Sequence, residues 1–140
     1  MRILAVDLGL VRTGLAVSDP TGFLASPVET ITERSTEKLL EKVAQAAQKQ
    51  GAGEIIVGHP RNMDGSRGES AQRAEAFAEA LAARTGKPVK LWDERMTTVS
   101  AIGYLNETDT RGKKRKAVVD TVAATIILQD YLDSLRNARG

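Results

Sequence analysis

"AVDLGLVRTGLAVSD", Ala5–Asp19, decides how this chain is read. Two apolar runs flank a short turn, "LVRT", and so predict a β-hairpin with a first strand over Ile3–Asp7 and a second over "TGLAVSD". The first strand ends on a carboxylate, Asp7. A lone buried carboxylate is costly unless something pairs with it. A metal ion shared with acidic residues far along the chain would supply the missing charge.

Working outward, "DPTG" (Asp19–Gly22) is a turn with proline at its second position. "FLASPVETI" predicts a third strand, which Pro27 places at an edge or a bulge, and the three strands form an antiparallel meander. "RSTEKLLEKVAQAAQKQGAG" predicts an amphipathic helix capped by Ser35 or Thr36 and ended by Gly51, with Leu39, Leu40, Val43, Ala46 and Ala47 as its apolar stripe. "EIIVG" is continuously apolar, as in a strand of a parallel sheet covered on both faces. The loop "HPRNMDGSRG" leads to a second helix, "ESAQRAEAFAEALAARTG", with Ala74, Phe77, Ala78 and Leu81 facing inward. "PVKLWDE" predicts a fifth strand, "TTVSAIGYLNET" a short helix, "DTRGKKRKA" a basic loop, and "VVDTVAATIILQDYLDSL" the last helix. The order is that of a single α/β domain over residues 1–140: a mixed five-stranded sheet with helices on both faces.

Composition narrows the chemistry. The chain of 140 residues is 41% apolar and 27% charged, as in a soluble globular domain, and its apolar runs are too short to span a bilayer. The N-terminus lacks the long apolar stretch of a signal peptide, so a cytoplasmic location with no membrane partner is expected. With no cysteine and one histidine, His59, thiolate and zinc sites are excluded. Any metal must be held by oxygen, which favours Mg²⁺ or Mn²⁺. Net charge is +2, but residues 111–140 hold seven basic and three acidic side chains. A basic C-terminal third suggests an anionic partner.

Acidic residues stand in three unexpected places. Asp7 ends an apolar strand. Asp93 and Glu94 end the fifth strand, and alternation points them to opposite faces, so one of the two suits a metal directly. Asp120 interrupts the most apolar helix on the stripe of Ala124, Ile127 and Tyr131. Each has an ordinary alternative: a turn cap for Asp7, a surface ion pair for Glu94, and a macrodipole partner near a helix start for Asp120. Gathered at one sheet end they would repel one another, and divalent cations would remove that repulsion. Such a site suits phosphoryl transfer.

Four motifs here resemble those of the YqgF/RuvX family of Holliday-junction-resolvase-like and pre-16S rRNA nucleases. They are D-x-G-x-x-R-x-G-x-A at Asp7, Gly9, Arg12, Gly14 and Ala16; G-x-P-x-x-x-D-G at Gly58, Pro60, Asp64 and Gly65; D-E-R-x-T-T at Asp93, Glu94, Arg95, Thr97 and Thr98; and a final helix with Asp120, Ala123 and Ala124. The resemblance runs from about residue 3 to about residue 133. It implies a ribonuclease H-like fold and metal-dependent phosphodiester hydrolysis, with Asp7, Glu94 and Asp120 as the acidic triad. His59 departs from the apolar residue expected before the motif proline; it either packs or assists a proton transfer.

The remaining candidates would handle nucleic acid. Arg12 and Arg95 each suit a phosphate clamp beside the carboxylates or an ion pair across the sheet end. Arg61, Asn62 and Arg67 lie on a long, glycine-containing loop that favours phosphate binding. Lys113, Lys114, Arg115 and Lys116 would bind a phosphate backbone without sequence preference. Few aromatic residues are present, so base-stacking platforms are not expected. The resulting expectation is an endonuclease on structured RNA, such as pre-16S rRNA, or on branched DNA. It would act as a monomer or, for symmetric junction cleavage, a homodimer. The alternatives are a non-catalytic nucleic-acid-binding module and an actin- or sugar-kinase-like ATP-binding domain.

Overall fold

The computed structural model describes residues 1–60, 66, 68–94 and 112–139, the last segment as helix with side chains placed from 122 to 137. The elements are β1 (Arg2–Asp7), β2 (Arg12–Ser18), β3 (Ala25–Thr32), α1 (Thr36–Lys49), β4 (Ala52–His59), α2 (Glu69–Thr85), β5 (Val89–Asp93) and α3 (Gly112–Arg139). They form one sheet in the order β3-β2-β1-β4-β5. The β1–β2 and β2–β3 pairs are antiparallel, and the β1–β4 and β4–β5 pairs are parallel. This is the mixed sheet expected from a meander followed by two helix-linked strands.

Strand alternation divides the core in two. Leu4, Val6, Leu15, Val17, Ile55 and Val57 face α1 and α2, where they meet the apolar stripes expected of those helices. The alternate residues Ile3, Ala5, Ala16 and Ile56 face α3 and pack on Ala124, Ile127, Leu128, Tyr131 and Leu132. β1 and β4 lie in the middle of the sheet, covered on both sides, which is why their sequences are continuously apolar. Ser35 caps α1 by accepting from the Lys38 backbone N–H at 3.4 Å. Gly51 leaves the helix at φ +66°. β3 is an edge strand, and its register shifts beside Pro27, so that residue occupies both an edge and a bulge.

The beginning of the last helix differs from expectation. Sequence places Lys113, Lys114, Arg115 and Lys116 in a loop, whereas α3 starts at Gly112 and includes all four. Lys, Arg and Ala are strong helix formers, and nothing after Gly112 breaks the pattern; a charge run says nothing against helix. The short helix expected over "TTVSAIGYLNET" lies outside the described residues. Among the described residues, no helix is long and apolar enough to cross a membrane.

α3 runs antiparallel to β1. Its C-terminal half meets the beginnings of the strands: the Gln129 side chain accepts from the Ala25 backbone N–H at 2.9 Å and donates to the Phe23 carbonyl at 2.9 Å. Tyr131 reaches Glu54 near the start of β4. Asp120 precedes Tyr131 by three helical turns, about 16 Å of rise. From Glu54 to His59, β4 advances by about the same distance. Along its own element, Asp120 thus stands about as far from the Tyr131–Glu54 contact as His59 does along β4.

Candidate active site

Asp7 ends β1 on the α3 side of the sheet, in step with Ile3 and Ala5. Its partner across the β1–β2 pair is Gly14. On the other side, β1 and β4 are in register at Val6 and Val57, so the next step sets Asp7 beside Gly58. Gly58 in turn pairs with Trp92 of β5. One row across the sheet therefore reads Gly14, Asp7, Gly58, Trp92. Two glycines flank the carboxylate, leaving a shallow floor around it. The next row inward, Ala16, Ala5 and Ile56, is covered by α3.

Glu94 lies over that floor. A Cβ added to Gly58 would come within 2.8 Å of both Cδ and Oε1 of Glu94 and within 3.0 Å of its Cγ. The Glu94 carboxylate thus occupies the space a side chain at position 58 would need, one strand away from Asp7. Neighbouring strands are separated by about 4.8 Å, which brings these two acids to the same place. Asp93 takes the opposite face. Val89, of the same parity, packs on the α1/α2 core, whereas Lys90 and Trp92 both meet Tyr131 of α3. Alternation thus separates the two adjacent acids as the sequence indicates, and Glu94 is the one near Asp7.

The turn between β1 and β2 is fixed by its backbone. A Cβ on Gly9 would fall inside contact distance of the Arg12 carbonyl oxygen and 3.0 Å from its carbon. Here glycine is required by close chain approach. The Gly9 N–H donates to the Thr13 hydroxyl at 3.3 Å, and Arg73 of α2 donates to the Gly9 carbonyl at 3.0 Å. Arg73 has no counterpart among the sequence candidates: the signal would have been a long cation on an otherwise inward-facing helix surface. Arg12 opens β2 with the parity of Gly14 and Ala16, which places it on the same face as Asp7.

His59 belongs to the other side. It is buried, and its Nε2 pairs with Glu75 of α2 at 2.7 Å. Packing against α2, with the sheet between it and Asp7, matches the first of its two sequence readings. A polar cluster missed by sequence lies at the far end of the α3 face. Glu54, only 6% exposed, accepts from the Tyr131 hydroxyl at 2.9 Å and pairs with Lys90 at 2.9 Å. The bond to Glu54 holds the Lys90 ammonium above its ordinary pKa, and burial pushes the Tyr131 phenol up.

Arg61, Asn62, Arg67 and Arg95 lie outside the described residues, as do the side chains of Lys113, Lys114, Arg115, Lys116 and Asp120. Among the described residues, no three acidic or histidine side chains gather into a metal cage; Asp7 and Glu94 are the pair brought together. The donors on this face are carboxylate oxygens, with no thiol in the chain and its one histidine on the other face. Hard divalent cations such as Mg²⁺ or Mn²⁺ fit that donor set.

A family model described as RuvX, Holliday junction resolvase, matches residues 1–134. A chain from Lachnospira eligens named "Putative pre-16S rRNA nuclease" is 46% identical over 137 residues, covering 96% of this chain and 98% of that one. A chain of the same name from Halothermothrix orenii is 44% identical over 140 residues, with both chains covered fully. Among solved structures, RuvC of T. thermophilus in complex with a Holliday junction substrate matches with a TM-score of 0.63 at 13% identity, over 98% of this chain and 96% of that one. A fowlpox virus resolvase in complex with Holliday junction DNA matches with a TM-score of 0.58 at 14% identity, over 96% and 99% of the two chains. At such identities the likeness concerns the fold, which is ribonuclease H-like, as the resemblance implies.

Proposed function

The chain belongs to the RuvX family of nucleases, and from that premise we propose that it is a divalent-metal-dependent endonuclease acting on precursor 16S rRNA, with Asp7, Glu94 and Asp120 as its catalytic carboxylates. The observation that carries this reading is the placement of Glu94 over Gly58, beside Asp7, on the sheet face packed by α3. Asp120 precedes Tyr131 by three turns of α3, and in this reading its carboxylate joins the other two at the sheet end. When bound there, Mg²⁺ or Mn²⁺ would lower the pKa of an attacking water and offset charge on the scissile phosphate.

The chain's own groups supply the rest. Asp7 pairs with Gly14 of β2 and directly follows Val6, which pairs with Val57 of β4, so its backbone is fixed at the sheet end. Arg12, on the same face, compensates the charge of the scissile phosphate. Lys113, Lys114, Arg115 and Lys116 form the first turns of α3, which begin two turns above Asp120, about 12 Å along the helix. Cations there engage the nucleic-acid backbone rather than base edges. Arg61, Asn62, Arg67 and Arg95 join them from the segments that follow β4 and β5. Structured RNA is the favoured substrate because relatives at 46% and 44% identity carry an rRNA nuclease name.

The test compares cleavage of a pre-16S 5′ leader with that of a four-way DNA junction, using one preparation and Mn²⁺. We expect the leader to be cut and the junction to react more slowly. We also expect Asp7→Asn, Glu94→Gln and Asp120→Asn each to lower the rate roughly 100-fold or more while RNA is still bound. Preferential cutting of the junction would overturn the RNA assignment. Parent-level cleavage by Asp7→Asn would overturn the assignment of the site.

A further inference from the structure

We infer that Gly58 is a positioning residue for Glu94: the missing side chain at 58 is the seat of the Glu94 carboxylate, and filling it disables the site without unfolding the protein. The inference rests on the functional reading above and extends it to a residue that touches neither substrate nor metal.

The geometry is specific. Gly58 is the last residue but one of β4 and still within the ladder, paired with Trp92 of β5 on one side and one register step from Val57, the partner of Val6, on the other. Strand interiors normally disfavour glycine, which contributes no packing and loses the most entropy on folding. No positive φ is found at Gly58; among the described residues, the glycines with that conformation are Gly22, Gly51 and Gly86. Backbone freedom therefore does not account for the choice. Space does. The atoms that a Cβ would meet are Cδ, Oε1 and Cγ of Glu94, at 2.8, 2.8 and 3.0 Å.

The identity of those atoms decides the consequence. They belong to the far end of a flexible side chain, not to backbone, so an alanine methyl can be accommodated by rotating Glu94 away. An ordinary carbon contact is about 3.5–4.0 Å, so the carboxylate must retreat by roughly 1 Å. Displacements of this size at reacting groups cost about 100-fold in rate. The strand itself tolerates alanine.

The experiment uses Gly58→Ala, Glu94→Ala, the double variant Gly58→Ala/Glu94→Ala, and Glu94→Gln, each as the full chain. Three quantities are measured: the melting temperature without metal, the affinity for Mn²⁺ alone by calorimetry, and single-turnover cleavage with RNA affinity determined separately. We expect Gly58→Ala to melt within about 3 °C of the parent, to bind Mn²⁺ at least about tenfold more weakly, and to cleave about 100-fold more slowly with RNA affinity unchanged. Alanine at position 94 lacks Cγ, Cδ and Oε1, the three atoms that a Cβ at position 58 would meet, and so vacates that space. Adding Gly58→Ala to Glu94→Ala should therefore change Mn²⁺ affinity and the residual rate less than about twofold, a non-additivity that a merely structural glycine would not show.

Unfolding of Gly58→Ala would overturn the inference, because the contact would then not be confined to a movable side chain. Parent-like Mn²⁺ affinity and cleavage in Gly58→Ala would also overturn it. So would equal losses from Gly58→Ala whether glutamate or alanine stands at position 94. Glu94→Gln separates this inference from the reading beneath it. If Glu94→Gln is inactive while Gly58→Ala is active, the glycine inference alone fails. If Glu94→Gln cleaves and binds Mn²⁺ like the parent, the site itself is misassigned and the inference falls with it.

Discussion

Replacing Gly9 by alanine should cost the protein far more stability than the same change at Gly58. A methyl at position 9 would lie within contact distance of the Arg12 carbonyl oxygen and 3.0 Å from its carbon, both backbone atoms. Since an ordinary carbon–oxygen contact is about 3.3 Å or longer, the turn must open. Opening it loosens two hydrogen bonds: the Gly9 N–H to the Thr13 hydroxyl, and the Arg73 guanidinium to the Gly9 carbonyl. A neutral bond contributes about 1 kcal/mol and a charged one about 1.5–3 kcal/mol, so the loss is about 3 kcal/mol before any strain is counted. With an unfolding entropy of about 2.1 cal/mol/K per residue across 140 residues, each kcal/mol moves Tm by about 3–4 °C. Gly9→Ala should therefore melt about 10 °C below the parent when followed by far-ultraviolet circular dichroism. Arg73→Met removes the charged bond alone and should account for about half of that. If Gly9→Ala melts no lower than Arg73→Met, the chain relieves the clash cheaply and this turn is not held as described. The two glycines differ in what a methyl would strike: at position 9 it meets backbone and the loss falls on stability, whereas at position 58 it meets a carboxylate and the loss appears in catalysis.

Three further outcomes are expected. Tyr131→Phe removes a hydroxyl that donates to the buried Glu54 at 2.9 Å but keeps the ring contact with Trp92; it should lower stability by about 1.5–2 kcal/mol in urea unfolding and leave the cleavage rate unchanged, since the bond it removes is to Glu54, near the start of β4 and away from Asp7. Asp130 has its pKa raised, first by burial and then by Asp133. A raised folded-state pKa means that the native protein holds this proton more tightly than the unfolded chain does, so ionised Asp130 detracts from stability at neutral pH. Asp130→Asn should melt higher than the parent at pH 7, with the gain shrinking as pH falls through the Asp130 pKa and absent below the ordinary value of 3.8; a gain that persists in acid would contradict the sign. Changing Lys113, Lys114, Arg115 and Lys116 together to alanine should weaken RNA binding and reduce the slope of log affinity against log salt by up to about 3. An unaltered slope would show that the start of α3 stays clear of the phosphates.

How much of this is legible in the sequence depends on the range of the contact involved. The hairpin, the capped α1 and the stripe of α2 follow from period-two and period-3.6 patterns that their own residues carry, and the structure has them where the patterns indicate. The division between Asp93 and Glu94 is legible because alternation is local. The face that carries α3 is legible from the stripe of Ala124, Ile127 and Tyr131, all buried. The beginning of α3 is harder, because a basic run looks like a solvated loop even where its residues favour helix. Gly58, Arg73 and Glu54 are not legible in their roles. Each acquires its meaning from an atom far along the chain: the Glu94 carboxylate, the Gly9 carbonyl and the Tyr131 hydroxyl. Nothing in the immediate neighbourhood of a strand glycine distinguishes a seat for a carboxylate from a simple weakness in the strand.

The same alternation constrains what chemistry this sheet end can perform. His59 and Asp93 share the parity of Val57 and Val89 and face α2, where His59 is engaged by Glu75. Asp7 and Glu94 face α3, with the sheet backbone between the two groups. The chain has no other histidine and no cysteine, so the face carrying Asp7 has neither an imidazole nor a thiol to serve as nucleophile or proton shuttle. What that face does offer is the fixed negative charge of Asp7 and Glu94 at the sheet end. Fixed charge and positioning are the means by which phosphoryl transfer is catalysed with little covalent help from the protein. On that reasoning Gly58 is as much a part of the site as the acids, because a side chain there would displace the Glu94 carboxylate from its place beside Asp7.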